Sequence, residues 1–240
     1  MSAIASNLQD VRRRIARAVE AAQRGFDQVK LIAVTKTFPA SAVVEAIEAG
    51  QFAFGENYAQ EAIEKIALVE TMRGSGTLPQ VEWHFIGPIQ SNKTRLIAAH
   101  FDWVHGVDRI RIAERLSEQR PKNRPPLKVL VQVNVSGEAS KSGVAPDDLT
   151  EVVRAIADLP RLHFRGLMGV PEPADVIEAQ RMPFAALRKL AEGLRAEGFA
   201  CPELSMGMSA DLEAAILEGA TMVRVGTAIF GPRQATHHTI

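Results

Sequence analysis

The stretch "LIAVTKTFPA", residues 31–40, places a lysine directly after a short apolar segment. Residues 31–34 are typical of a buried β-strand, and Pro39 marks where that strand can no longer continue. Lys36 lies between the strand and this proline, flanked by two threonines. A lysine in this position either extends to solvent or is held in a pocket for its amine.

Around this segment, predicted strands and helices alternate along the chain. The strands are predicted at 29–35, 52–55, 82–87, 103–107, 128–135, 163–168, 203–206 and 222–225. Helical patterns are predicted at 40–49, 57–72, 91–99, 108–119, 147–158, 174–197 and 210–218, after an extra N-terminal helix within 1–24. Eight such units suit an α/β protein with a (β/α)₈ TIM barrel, which needs about 250 residues. A doubly wound open sheet is the alternative, but no glycine-rich dinucleotide turn follows the first strand.

Composition narrows the class of protein. Lysine plus arginine and aspartate plus glutamate both number 28, so no basic excess favours nucleic-acid binding. Cys201 is the only cysteine, which excludes an intrachain disulfide and favours a reducing compartment. The sequence has neither a secretory signal nor an apolar run approaching the roughly 18 residues of a membrane span. We therefore expect one cytoplasmic domain over 1–240, with a flexible tail at 233–240 and no nucleic-acid or membrane partner.

The active site of such a barrel lies at the carboxyl ends of the strands. Strands 1 and 8 are neighbours in a closed barrel, so Lys36 should lie beside "RVGTAIFG", residues 224–231. In "SMGMSADLEAAI", Ser209 suits either an ordinary helix N-cap or a phosphate site shared with Gly226 and Thr227. A lysine near a second cation such as Arg224 can form a Schiff base with an aldehyde. The residues alone leave a sugar phosphate and pyridoxal 5'-phosphate (PLP) both open as ligands.

Seven sequence blocks carry a resemblance to a known family. They are "AVTKT" (33–37), "FGENYAQE" (54–61), "WHFIGPIQSNK" (83–93), "VNVSGEASKSG" (133–143), "RGLMGV" (165–170), "LSMGMSADLEAAI" (204–216) and "VRVGTAIFG" (223–231). With these blocks the chain resembles the pyridoxal phosphate homeostasis proteins, which are related to the N-terminal domain of alanine racemase. The resemblance runs from about residue 8 to residue 232. Thr35 replaces a serine found in many members.

The resemblance implies a role for eight residues. Lys36 matches the lysine that forms the internal aldimine with PLP, and Arg224 matches the arginine facing the pyridine nitrogen. The remaining matches are the phosphate cradle (Ser209, Gly226 and Thr227), Ser205 lining the same site, Asn57 near the ring and Met206 in the pocket wall. PLP acts as an electron sink mainly when its ring nitrogen is protonated, and a guanidinium disfavours that protonation. Such a site holds the cofactor and handicaps carbanion chemistry.

The implied function is a PLP carrier in intracellular homeostasis, delivering the cofactor to apo-enzymes without catalytic turnover. An amino-acid racemase is the alternative, and a Schiff-base aldolase is a more distant one. A monomer is expected, because the racemase dimer completes its site with a second domain that does not follow here. Lys141, in a small-residue loop, is a candidate for transient PLP attachment. The six histidines show no paired metal-ligand spacing. His84 is interpreted as a packed or hydrogen-bonded core histidine, with a position at the barrel mouth as the alternative, and Glu56 and Glu61 are interpreted as structural or solvated.

Overall fold

The computed structural model describes residues 2–73, 80–136 and 142–232, and its centre is a closed barrel of parallel strands. The eight strands pair in chain order, and β1 also pairs with β8 to close the barrel. Their bounds are β1 Lys30–Val34, β2 Ala53–Glu56, β3 Glu82–Phe85, β4 Trp103–Val107, β5 Leu127–Gln132, β6 Leu162–Met168, β7 Glu203–Ser205 and β8 Met222–Val225. The predicted (β/α)₈ barrel is confirmed.

Helices follow the strands and cover the outside of the barrel. They are α1 Ala3–Ala21, α2 Ala40–Glu48, α3 Ala59–Arg73, α4 Thr94–His100, α5 Ile110–Gln119, α6 Leu149–Ala157, α7 Ile177–Ala196, α8 Leu212–Leu217 and α9 Thr227–Phe230. Four-residue α9 was not predicted, because one turn of helix is too short for a periodic pattern. None of the described helices combines the length and apolar character needed to cross a membrane.

The extra helix α1 packs on the outside of the barrel near the closing strands. Its apolar stripe includes Leu8, Val11 and Ile15, which are almost completely buried, at the spacing of one helix face. The Ser2 side chain accepts a hydrogen bond from the Ala5 amide and caps the helix start. Arg14 of α1 then reaches the loop after β7. Its guanidinium donates to the Ser209 carbonyl at 2.9 Å and to the Glu213 carboxylate at 2.6 Å. The helix thus fixes a loop that belongs to the predicted site.

The main core lies between the barrel and its helices, and a smaller apolar cluster lies inside the barrel. The smaller cluster consists of Ile32, Trp103, Leu130, Met168 and Met222. Buried polar side chains accompany it in the interior, namely His84, His105, Ser205 and Arg224. Branched apolar residues ordinarily fill the inside of such a barrel. The interior of this one is therefore unusually polar.

Candidate functional site

Lys36 follows β1 by two residues and is half-buried at the carboxyl end of the barrel. The neighbouring Thr35 is fully buried, and its amide donates to the Gly55 carbonyl of β2. Thr37, on the other side, has a φ of +69°, which is rare for a β-branched residue and costs free energy. Its amide donates to Glu61 Oε1 at 2.7 Å, which holds this unusual conformation. The backbone is therefore fastened on both sides of Lys36.

A group of three charges, which we call the carboxylate–lysine clamp, provides this fastening: Glu56 and Lys65 are buried, and Glu61 is partly exposed. Lys65 of α3 donates to Glu56 Oε1 at 2.6 Å, to Glu61 Oε1 at 2.9 Å and to the Thr35 carbonyl at 2.6 Å. The Thr35 hydroxyl also donates to Glu56, at 2.7 Å. Burial raises the pKa of Glu56, and the charge and hydrogen bond of Lys65 oppose that shift. Glu56 is thus a fully buried structural carboxylate, and Glu61 joins it in holding residues 35–37.

Arg224 lies inside the barrel on β8. It pairs in register with Ile32 of β1, four residues before Lys36. Its guanidinium donates to Ser205 Oγ at 2.6 Å and to the Gly169 carbonyl at 3.0 Å. Burial lowers the pKa of Arg224 to about 10, and the nearby Asp211 carboxylate opposes that shift. The group keeps its positive charge at neutral pH, so it is a buried cation near the candidate lysine.

Asn57 follows β2 and brings an amide to the same end of the barrel. Its Oδ1 atom is buried, with no hydrogen-bond partner in the part of the chain that the structure describes. Gly87, after β3, lies directly against the Asn57 backbone, and a Cβ atom there would come within 2.4 Å of the Asn57 carbonyl oxygen. Only glycine permits this approach. The result is a positioned, buried acceptor that a ligand can satisfy.

The loop after β7 carries Ser205, Met206 and Ser209. Ser205 ends the strand inside the barrel, whereas Met206 is fully buried and belongs to the main core outside it. The N-cap interpretation of Ser209 is wrong, because α8 begins at Leu212 and Asp211 occupies the cap position. The Asp211 carboxylate accepts from the Met208 amide and so closes a turn ahead of the helix. Ser209 lies within that turn, at the carboxyl end of the barrel.

Gly226 and Thr227 form the turn from β8 into α9. A Cβ atom at Gly226 would lie 3.3 Å from the Val34 carbonyl oxygen, so this turn packs closely on the end of β1. Thr227 is the first residue of α9 and is exposed. The turn after strand 8 therefore lies beside the end of the strand that leads to Lys36.

Seven of the eight predicted residues come together at one end of the barrel. They are contributed by β7, β8, β1 and β2, which are consecutive in the closed sheet. Met206 is the exception, since it packs in the outer core. Lys65 and His105 were not singled out from the sequence. The only local signal for them is a polar residue at a position that faces the core. Lys65 lies on the same helix face as the buried Ala62 and Val69, and His105 lies within a fully buried strand. Lys141 lies outside the described residues.

Two other features of the molecule bear on where a ligand or a metal ion could bind. A cavity of about 690 Å³ opens at the amino ends of the strands, lined by Arg12, Lys30, Glu82 and Lys128 among others. Its Lys30 and Lys128 side chains contact Glu82, and Arg12 donates to backbone carbonyls, so these charges already have partners within the protein. Among the described residues, no group of three or more acidic, histidine or cysteine side chains is placed to hold a metal ion.

Fold and site together define the class of protein to which the chain belongs. The family described as "Alanine racemase, N-terminal domain" matches residues 3–234. An alanine racemase from Corynebacterium glutamicum shares the fold, with a TM-score of 0.68 at 18% identity, and the chain covers 62% of it. That likeness concerns the fold alone.

More similar proteins narrow the class. The chain is 57% identical over 233 residues to a protein of Pseudomonas aeruginosa and 50% identical over 236 residues to one of Escherichia coli K12. Both are named pyridoxal phosphate homeostasis protein, and the alignments cover at least 97% of each chain. The structure of PipY from Synechococcus elongatus, solved with PLP bound, matches with a TM-score of 0.81 at 38% identity, covering 95% of this chain and 100% of that one. The chain belongs to the family of pyridoxal phosphate homeostasis proteins.

Proposed function

We propose that this protein binds PLP at the carboxyl end of its barrel and acts in intracellular PLP homeostasis. The observation that carries the proposal is the convergence of Lys36, Arg224, Asn57 and the turn at Gly226 from three consecutive strands, β8, β1 and β2. PipY, a relative with the same fold, has been solved with PLP bound. The names of the bacterial relatives point to the same cofactor.

The described residues suit this cofactor. Arg224 is a buried cation whose hydrogen bonds go to a hydroxyl and a carbonyl, so the remaining N–H groups of its guanidinium are available for an acceptor such as the pyridine nitrogen. Asn57 Oδ1 is a buried hydrogen-bond acceptor that has no donor among the described residues. We assign the phosphate to Ser209, Gly226 and Thr227, which supply two hydroxyls and a backbone turn that packs closely on the end of β1. Ser205 supports Arg224 from inside the barrel.

Lys36 is the residue we assign to the covalent link. When bound, PLP supplies an aldehyde that condenses with a lysine amine to a Schiff base, releasing one water. The clamp holds residues 35–37, so the Lys36 backbone is placed before any cofactor arrives. A permanently charged Arg224 disfavours protonation of the pyridine nitrogen, which suits storage of the reactive aldehyde better than turnover. We propose a monomeric, cytoplasmic carrier that delivers PLP to apo-enzymes.

Borohydride trapping tests the assignment of Lys36. Wild-type protein mixed with PLP should show a visible imine band that borohydride removes, and peptide mapping should find the reduced adduct on Lys36. The Lys36→Ala variant should lose both signals, whereas Lys189→Ala, at an exposed position on α7, should keep them. A stable adduct on another lysine in Lys36→Ala would show that the assignment is wrong.

Rapid PLP transfer from the loaded protein to an apo-enzyme, faster than its release to buffer, would support delivery.

A further inference from the structure

Five polar side chains form a continuous chain of hydrogen bonds through the inside of the barrel. This polar chain consists of Glu82, His84, His105, Ser205 and Arg224. Glu82 Oε2 lies 3.2 Å from His84 Nε2, His84 Nδ1 lies 3.0 Å from His105 Nε2, and His105 Nδ1 lies 2.8 Å from Ser205 Oγ. Arg224 Nη1 completes it by donating to Ser205 Oγ at 2.6 Å. The polar chain therefore runs from the amino end of the strands to the candidate cofactor site.

The two ends of the polar chain carry opposite charges. Glu82, at the amino end, also accepts from Lys30 at 2.5 Å, from Lys128 at 3.2 Å and from the Trp103 indole at 2.6 Å. The His84 ring stacks on Trp103 with centroids 5.5 Å apart, which sets the ring's orientation. His84, His105 and Ser205 are all fully buried. These three central members are therefore shielded from solvent, and they depend on the other members of the polar chain for their hydrogen bonds.

Both histidines are neutral at neutral pH. Burial lowers the pKa of His84, although the Glu82 carboxylate works in the opposite direction. Burial also lowers the pKa of His105 to well below its ordinary value, and the charges of His84 and Arg224 add to the effect. Each neutral ring has one N–H donor and one acceptor nitrogen. The hydrogen-bond partners then decide which nitrogen carries the proton.

Only one placement of the protons satisfies every contact between neutral rings. Arg224 can only donate, and the Glu82 carboxylate can only accept. His84 Nε2–H must therefore face Glu82, so His84 Nδ1 accepts from His105 Nε2–H. His105 Nδ1 in turn accepts from the Ser205 hydroxyl, whose oxygen accepts from Arg224. Every hydrogen bond in the polar chain is donated in the direction from the arginine to the glutamate.

We propose that His105 is a positioning residue for Arg224. His105 Nδ1 accepts the hydrogen bond from the Ser205 hydroxyl, so the lone pairs of that oxygen remain for the guanidinium of Arg224. The Gly169 carbonyl accepts from another N–H of the same guanidinium and holds it from a second side. This proposal rests on the proposed function, because it is there that Arg224 is assigned to the pyridine nitrogen. A guanidinium fixed in this way meets the ring nitrogen without reorganising on binding. His84 and Glu82 act one step further away, by fixing the tautomer of His105.

The first test measures the protons themselves, on the protein without cofactor. In ¹⁵N-histidine-labelled wild type at pH 7, long-range ¹H–¹⁵N spectra should show both buried rings as the neutral tautomer protonated at Nε2. The Ser205→Ala variant should change the His105 Nδ1 shift, and the exposed His163→Gln substitution should leave both buried rings unchanged. A His105 ring protonated at Nδ1, or cationic at pH 7, would overturn the proposal.

The second test asks whether the polar chain acts through the ring nitrogen. The probes are PLP and an analogue with carbon in place of that nitrogen, each titrated against wild type, Ser205→Ala, His105→Phe and His163→Gln. His105→Phe removes the neutral hydrogen bond between His105 and Ser205, so it should weaken PLP binding about three- to tenfold. Ser205→Ala also removes the bond that Arg224 donates, so it should weaken PLP binding at least as much. Binding of the analogue should stay nearly unchanged in both variants. Equal weakening for both probes would show a merely structural role and overturn the proposal.

The two tests also separate this proposal from the proposed function. If wild type bound neither probe, the proposed function and the cofactor part of the inference would both be wrong. The histidine spectra would still decide whether the hydrogen bonds of the polar chain are donated in the direction from Arg224 to Glu82. If His105→Phe does not fold, Ser205→Ala breaks the same contact with a smaller change and gives the same comparison. If a folded Ser205→Ala variant had the same ratio of affinities for PLP and the analogue as wild type, the positioning role would be contradicted.

Discussion

Replacing Lys65 with methionine should destabilise the protein strongly, because it breaks the carboxylate–lysine clamp. Lys65 is 4% exposed and Glu56 is fully buried, so methionine would remove the charge that compensates a buried carboxylate. Glu56 Oε1 would keep only the Thr35 hydroxyl, and Oε2 already has no partner among the described residues. Removing one partner of a buried ion pair costs about 3–5 kcal/mol of unfolding free energy. We expect a loss in this range at pH 8.

The loss should depend on pH in a defined direction. The pKa of Glu56 in the folded protein is raised from its ordinary value of 4.5 by burial, and Lys65 opposes that shift. Without Lys65 the pKa rises further, so the folded protein holds this proton more tightly than the unfolded chain does. Stability then falls as pH rises from the ordinary pKa to the raised one. Lys65→Met should therefore be less destabilising at pH 5 than at pH 8.

Urea unfolding followed by far-UV circular dichroism, at both pH values, measures this effect. The matched control is the same substitution in a Glu56→Gln background, where no buried carboxylate is left to lose its partner. There Lys65→Met should cost less, and its cost should be the same at both pH values, which gives a double-mutant cycle for the pair. A cost below about 1 kcal/mol at pH 8 would refute the reasoning, given the desolvation expected for an unpaired buried charge. Equal costs at pH 5 and pH 8 in the Glu56 background would refute it as well.

Two further predictions concern the proposed site. Combined Ser209→Ala and Thr227→Val should weaken PLP binding, each lost hydrogen bond to a charged phosphate being worth about 1.5–3 kcal/mol. Binding of unphosphorylated pyridoxal should change much less, and equal losses for the two ligands would place the phosphate elsewhere. The PLP-loaded protein should not racemise L-alanine at a useful rate, because racemisation needs a second acid–base group opposite Lys36, and such help is worth roughly 10²–10⁴-fold. The sole tyrosine, Tyr58, is 54% exposed, and D-alanine formation that Tyr58→Phe abolished would contradict this prediction.

The sequence by itself determined the architecture, and it predicted an approximate place for the site. Strand and helix patterns are local, since burial on one face repeats every two or 3.6 residues. They predicted all eight strands within a few residues of their observed bounds. The rule that parallel barrels carry their sites at the carboxyl strand ends then placed Lys36 beside the turn at Gly226. The packing of Gly226 on Val34 is consistent with that prediction.

The tertiary structure alone decided how the charged and polar groups are paired. Glu56 was interpreted as structural or solvated, and its burial against Lys65 depends on how α3 packs over β2. His105 and Ser205 are 100 residues apart in the sequence and 2.8 Å apart in the barrel. Local propensity gives each residue a strand and a side of that strand. Which inward-facing side chains meet depends on strand register and on closure of the sheet, and these are set by the packing of the whole chain.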